Sequence, residues 1–316
     1  MKRAAWVAGC AAALLALPAA LGGDYYVNLA SQILIAAIFA MSLNLLVGYG
    51  GMVSLGHSAY LGVAAYAAGW LMLRSGLGPL AAGGVALVIT TATAALFGLL
   101  ALRASGLSFL MITLALGQIL WGLAYRWVSI TGGDNGLSGL TRPAPFGIDL
   151  KGATAFYYFT LAAFGIAFAL VALLVRSPFG ASLQGTRDQP RRMSALGHNV
   201  WLVRWIAFVL AGFWGAVSGV LYVYYNTYIS PHALSLTHSA EVLLMVIAGG
   251  PATLLGPAVG AALVVLIKNV ASAYVEHWTM LLGVVFLVIV MFLPDGLVPG
   301  AKRLYDRVRR GRGAGR

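Results

Sequence analysis

An all-α, polytopic transmembrane helical bundle of about ten spans is the fold class this sequence predicts, on three observations. Of its 316 residues, 61% are hydrophobic and only 9% are charged, and the mean hydropathy is +0.90. A soluble domain carries about 25% charged residues, so composition excludes that class. Runs of about 20 apolar residues recur, the length at which a helix crosses about 30 Å of hydrocarbon. A membrane barrel would instead alternate polar and apolar positions over segments of about ten residues, and no such alternation is visible. The basic residues sit at the ends of the apolar runs and are not interleaved with aromatics on one soluble face. The net charge of +12 therefore reads as the positive-inside pattern of a membrane protein, with no nucleic-acid partner.

In chain order the expected spans are 4–21, 27–47, 52–72, 79–102, 107–128, 154–175, 204–226, 238–251, 255–274 and 278–294. The first begins with Lys2 and Arg3 ahead of an apolar run, as a signal peptide does, and residues 7–10 (VAGC) resemble a lipoprotein cleavage box. Most of the apolar run follows Cys10, however, so the segment is expected to be a retained span. Glycines and polar residues interrupt the third, eighth and ninth spans. With the N-terminus inside, fifteen Lys and Arg fall on the cytoplasmic side, seven of them in residues 302–316. The other side receives Arg74, Arg126, Arg142 and Lys151, while Lys268 lies within a span. Ten spans place both termini in the cytoplasm and lay the basic tail, 296–316, against anionic lipid. The whole chain, 1–316, then forms one transmembrane domain with an outer loop at 129–153 and a cytoplasmic loop at 176–203.

Two small-residue clusters stand out within the spans. In "LNLLVGYGGMVSLGHSAYLGVAAYAAG", residues 43–69, Gly50, Ser54, Ser58 and Gly62 recur every four residues. On a helix that spacing makes one smooth ridge, which lets helix backbones approach closely in a bilayer. Residues 48–51 (GYGG) are expected to break or bend the helix ahead of it, and a broken helix is tolerated where it is buried or lines a wet cavity. Asn44, Ser54 and His57 are then candidates to line the passage, ordinary packing being the alternative. In "AGGPATLLGPAVGAA", residues 248–262, Ala252, Gly256 and Gly260 make a second ridge. Pro251 and Pro257 lack the amide hydrogens of a continuous helix, so a hairpin of two shortened helices is expected. Glu241, just upstream, is the one acid placed inside a span, where a charge costs about 3 kcal/mol. It joins the passage candidates.

The cytoplasmic loop holds "GTRDQPRRMSALGHNVW", residues 185–201, the most polar stretch between the apolar runs. A short helix is expected there, with Asp188 as its cap, Pro190 in the first turn and Gly197 at its end. About ten residues are marginal as an isolated helix in water. Lipid phosphates would need only the arginines. The apolar surface of Met193, Ala195 and Leu196 among the charges points to a protein partner instead.

Catalytic signatures are absent from the sequence. None of the four lysines follows a glycine, so there is no P-loop, and there is no HExxH, GxSxG or paired Cys-x-x-Cys. The single Cys10 excludes an intrachain disulfide, and no two of the five histidines have the i, i+4 spacing of a helical metal site. No catalytic, metal or cofactor site is expected on this chain.

Four segments, in order, resemble one family. "NLLVGYGGMVSLGHSAYLG" is similar to its early signature, and "LSFLMITLALGQILW" with "TGGDNGLSGL" to its central segment and outer loop. "SPFGASLQGTRDQPRRMSALGHNVWLVRWIAFVLAG" resembles its coupling segment, and "EVLLMVIAGGPATLLGPAVGA" its later signature. The family is that of the membrane permease subunits of branched-chain amino-acid ABC importers, of LivM type. The resemblance implies a multi-pass protein of the bacterial inner membrane that pairs with a second, related permease subunit, two cytoplasmic ATPase subunits and a periplasmic binding protein. ATP and Mg would bind the ATPases. Arg187, Asp188, Arg191, Arg192, Ala195, Leu196, Gly197 and Asn199 would dock into a cleft on the ATPase, and loop 129–153 would meet the binding protein. "TRDQPRRM" departs from the family's more common acidic-and-alanine run, so the ATPase partner does not follow from the resemblance. Family members also carry urea, short amides or other small metabolites. An ion-coupled secondary transporter is the other class, but it would more often show inverted repeats and several intramembrane acids.

Overall fold

The computed structural model describes residues 13–19, 22–144 and 149–274, together with 280, 283–284, 287, 291, 296–300 and 303. Helices stand at the second to ninth expected spans. They are α1 (Asp24–Asn44, continued by the π turn Leu45–Tyr49), α2 (Ser58–Arg74), α3 (Pro79–Ala101), α4 (Leu107–Arg126) and α5 (Ala153–Arg176). There follow α6 (Pro178–Asp188), α7 (Pro190–Ala195), α8 (Val200–Asn226), α9 (Leu236–Gly249) and α10 (Gly256–Tyr274). Of the first expected span only residues 13–19 are described, and they are helical. The tenth and the basic tail lie largely outside the described residues. Among the described residues, α1 with its π turn, α3, α4, α5 and α8 are each long and apolar enough to cross a membrane.

α8 is the centre of the bundle, packed on α1, α2 and α3. α1 and α8 are mostly buried, whereas α3, α4 and α5 turn most of their residues outward. Small residues set the close approaches. On α8, Gly212 faces Ala94, Gly215 faces Tyr60 and His57, and Gly219 lies against the Leu61 carbonyl. Between helices already in lipid, such contacts supply the attraction that water cannot. α5 extends the bundle along the other side of α1, and its Tyr157 hydroxyl donates to the Leu14 carbonyl at 2.8 Å.

At the end carrying loop 129–153, the chain is pinned by short elements. The strand β1 (Leu137–Ser138) pairs antiparallel with β2 (Tyr228–Ile229). Arg142 donates to the Tyr224, Tyr225 and Lys151 carbonyls and lies 4.8 Å over the Phe156 ring. A guanidinium on the terminal carbonyls of α8 complements that helix's negative end. The loop is therefore ordered turns, as expected, with residues 145–148 outside the described residues.

The hairpin expected at 248–262 is present as α9 and α10, joined at residues 250–255. Ala252 sits in that turn at φ 59°, so it is not on a ridge with Gly256 and Gly260. Those two let the hairpin close: a side chain on Gly260 would run into the Met245 carbonyl, and one on Gly256 into the Gly250 carbonyl. Gly260→Val should therefore lower the melting temperature of the purified protein by several degrees, because backbone on both sides has no room to yield. Gly165→Ala on α5, where a methyl meets nothing within 4 Å, should be neutral or slightly stabilising in the same melt.

Candidate functional site

The break expected at residues 48–51 is real and is longer than the sequence suggested. α1 loosens into a π turn over Leu45–Tyr49, Gly51 takes φ 66°, and residues 51–57 run without helix until α2 begins at Ser58. Gly50, Ser54, Ser58 and Gly62 therefore do not form one ridge. Only Ser58 and Gly62 share a helix, with Gly62 against Leu234. The missed feature is the non-helical run after the glycines, since nothing in "MVSLGH" itself forbids a helix.

That run carries the chain to the middle of the bundle, where a second irregular segment meets it. Residues 230–235 lead into α9, and Ser58 holds the two together. The Ser58 amide donates to the Ser239 hydroxyl at 3.1 Å, and the two hydroxyls lie 2.5 Å apart. The Ser58 hydroxyl is also 3.1 Å from the carbonyls of Leu234 and Ser235. Thus α2 and α9 both start inside the bundle with their N-termini at one junction. His57 next to it is fully buried and lies 2.7 Å from the Ser42 hydroxyl through Nε2. Ser42 gives its own proton to the Phe39 carbonyl, so His57 donates from Nε2 and leaves Nδ1 as an acceptor without a protein partner among the described residues. The Phe39 ring is stacked between the rings of His57 and His238.

The polar candidates inside the spans have protein neighbours. Asn44 uses both ends of its amide on the hairpin turn, donating to the Thr253 carbonyl at 2.9 Å and accepting from the Ala252 amide at 3.1 Å. Glu241 is matched by Lys268 of α10, whose Nζ is 3.2 and 3.1 Å from the two carboxylate oxygens. Asn44, Ser54, His57 and Glu241 are all buried, and none lines either of two clefts in the bundle. One of those clefts, about 310 Å³, lies beside Gly51, Met52, Phe109 and Arg204. The other, about 390 Å³, is lined by residues of α4, by Asp134 and by Pro231, His232, Ser235 and Leu236. Sequence reasoning passed over Gln118, which lines the second cleft. A lone glutamine in "LSFLMITLALGQILW" was the available signal.

The basic segment is two helices and not one. α6 ends at Asp188, and Gln189, at φ −146°, turns the chain before α7. Asp188 is therefore not the helix cap. It is the last residue of α6 and accepts from its neighbour Arg187 at 2.8 Å. Pro190 in the first turn and Gly197 at φ 86° after the last stand where expected. α6 is anchored through buried Leu183 and Thr186, and Arg204 donates to the Thr186 carbonyl at 2.8 Å. Beyond it Arg191, Arg192, Ala195, Leu196, Gly197 and Asn199 are exposed, although the Asn199 side chain caps α8 by accepting from the Leu202 amide. Leu196 is 71% exposed, an unusual position for a leucine on a polar helix end.

Arg187 points the other way. Its guanidinium donates to the Gly48 carbonyl at 2.5 Å, and its stem lies against Gly51. That carbonyl is spare because the helix ends at Tyr49, and the last carbonyls of a helix have no following helical amide to bond. The exposed segment is thus tied directly to the broken helix. Through Asn44, one turn back, it is tied to the α9–α10 turn as well.

The family model described as branched-chain amino acid transport system, permease component, matches residues 25–291. The high-affinity branched-chain amino acid transport system permease protein LivM of Salmonella typhimurium is 24% identical over 296 residues, covering 86% of this chain and 70% of that relative. The protein of the same name from Escherichia coli is 26% identical with the same coverage. A guanosine ABC transporter permease protein, NupQ of Bacillus subtilis, is 30% identical over 83 residues, 26% of this chain and 24% of its own. No solved structure matches the chain.

Proposed function

The chain belongs to the permease components of branched-chain amino acid transport systems, and we propose that it forms half of the passage of an ABC importer for hydrophobic, branched-chain amino acids. ATP hydrolysis on separate subunits drives it. In this reading about ten spans bring both termini to the cytoplasm. A sister permease completes the passage, two ATPases grip the 187–199 segment, and a binding protein delivers cargo to loop 129–153. The observation that carries the reading is the exposed basic helix α7, whose preceding helix α6 is latched by Arg187 to the break at the end of α1 in the bundle core. A lipid anchor needs no such linkage, whereas a lever needs both a handle and a joint.

Uptake of labelled leucine in right-side-out vesicles, with the partner subunits present, tests the drive. Uptake should continue when the ion gradients are collapsed and ATP is retained, and should stop when ATP is removed. Uptake that follows the gradient instead would make the chain a secondary transporter. Cargo is tested by competition, because the Bacillus subtilis relative is named for guanosine. Leucine, isoleucine and valine should compete, and guanosine, urea and short amides should not.

Two substitutions test the handle. Arg192→Glu reverses a charge on an exposed face, and Gly197→Pro replaces a residue at φ 86° with one fixed near −65°. Each should reduce ATP-driven uptake about tenfold or more with normal membrane insertion. Uptake at the unsubstituted rate in both variants would remove the docking role of α7.

A further inference from the structure

The 390 Å³ cleft is not absorbed by the coupling mechanism, and its lining has an organised chemistry. Gln118, Trp121 and Tyr125 follow each other at i, i+3 and i+7, so they make one stripe along α4 that faces the cleft. Trp121 and Tyr125 stack nearly parallel, 5.6 Å between centroids at 16°, and form an aromatic wall. Leu236 lies among the remaining lining residues, and Asp134 lies with them at the end carrying the loop. Ser235 lines the cleft at the start of α9.

Gln118 gives the cleft its meaning. Its neighbour Gly117 packs on Gly56, so Gln118 lies at the depth of the junction where α2 and α9 begin. Its side chain is half-buried and hydrogen-bonds to no other described residue. An amide in hydrocarbon without a partner costs several kcal/mol, so this one must face water or a polar solute. Ser235 adds a second donor. Its oxygen accepts from the His238 amide at 3.2 Å, and its hydroxyl proton is given to no described residue.

We propose that this cleft is the subunit's own half-site for the transported solute, and that it takes a zwitterionic amino acid with a bulky apolar side chain. The Gln118 amide and the Ser235 hydroxyl donate to the carboxylate. Trp121 and Leu236 cover the hydrocarbon side chain, and Asp134 at the mouth draws the ammonium group inward. The volume lies in the range of small-molecule pockets. A few polar groups at one end and an apolar wall beside them orient an amphipathic solute and reject one without an apolar side chain. This inference rests on the transport function proposed above. It adds selectivity within the membrane subunit, beyond whatever the binding protein contributes.

The test uses the complete transporter in proteoliposomes, with loaded binding protein outside and ATP inside. Gln118→Leu should lower leucine uptake roughly tenfold while ATP hydrolysis stimulated by the loaded binding protein stays within about twofold of the unsubstituted complex. Trp121→Ala should reduce the preference for leucine over alanine severalfold, and Trp121→Phe should restore it. Unchanged uptake and preference in both variants would overturn the half-site. So would an equal fall of uptake and hydrolysis in both, because that marks a structural role only. If the unsubstituted complex moves no amino acid at all, the transport function itself is wrong, and the ligand class falls with it.

Discussion

Lys268→Leu should largely prevent accumulation of folded protein in the membrane. The substitution leaves Glu241, whose side chain is 6% exposed, without its cation inside the α9–α10 hairpin. Breaking one side of a buried ion pair costs about 3–5 kcal/mol, a large share of a protein's total stability. Glu241 is buried by the protein itself, so water has little chance to reach the stranded carboxylate. Glu241→Leu alone should be less damaging, because the Lys268 side chain is 32% exposed and a lysine stem lets the ammonium reach a polar region. The double variant Glu241→Leu/Lys268→Leu should recover most of the lost protein. Detergent-solubilised yield and melting temperature of the three variants check this. Equal yields for Lys268→Leu and the double variant would show that the pair does not hold the hairpin.

Arg187→Ala should separate ATP hydrolysis from transport, with the largest functional effect of any change at the surface of the bundle. Three contacts disappear together: the charge-assisted bond to the Gly48 carbonyl, the packing of the stem on Gly51 and the local ion pair with Asp188. The carbonyl is one that the end of the helix leaves spare, so losing the bond to it should not unfold α1. What is lost is the tie between the basic segment and the break. Uptake should fall about tenfold to a hundredfold with hydrolysis retained, and Arg187→Lys should restore only part, since an ammonium cannot reproduce the guanidinium fork. Asn44→Leu should resemble it, because Asn44 carries the same connection on to Ala252 and Thr253. Full uptake in Arg187→Ala would mean that motion reaches the passage by another route.

The helices and their order were legible because apolar length is dictated by the bilayer and is written locally in the chain. The hairpin was legible too, from Pro251 and Pro257. What sequence spacing could not convey was pairing between distant elements. Lys268 and Glu241 lie 27 residues apart on different helices, and Asn44 meets a turn more than 200 residues away. The four-residue ridge failed for a related reason. Period-four spacing has meaning only on a continuous helix, and beyond the π turn that ends at Tyr49 the glycines send residues 51–57 out of helix. Asp188 was misread as a cap because Gln189, one residue later, is where the chain turns. Its partner is the adjacent Arg187, so its role is local.

The side of the membrane on which α7 lies decides the central claim most directly. Cys10 is the only cysteine, so Cys10→Ser with Ala195→Cys gives a single reporter at an exposed position on α7. A membrane-impermeant thiol reagent should label it in inside-out vesicles but not on intact spheroplasts, and added ATPase subunits should protect it. Labelling of Ala195→Cys on intact spheroplasts would place the handle outside, where no ATPase can hold it, and would contradict the mechanism.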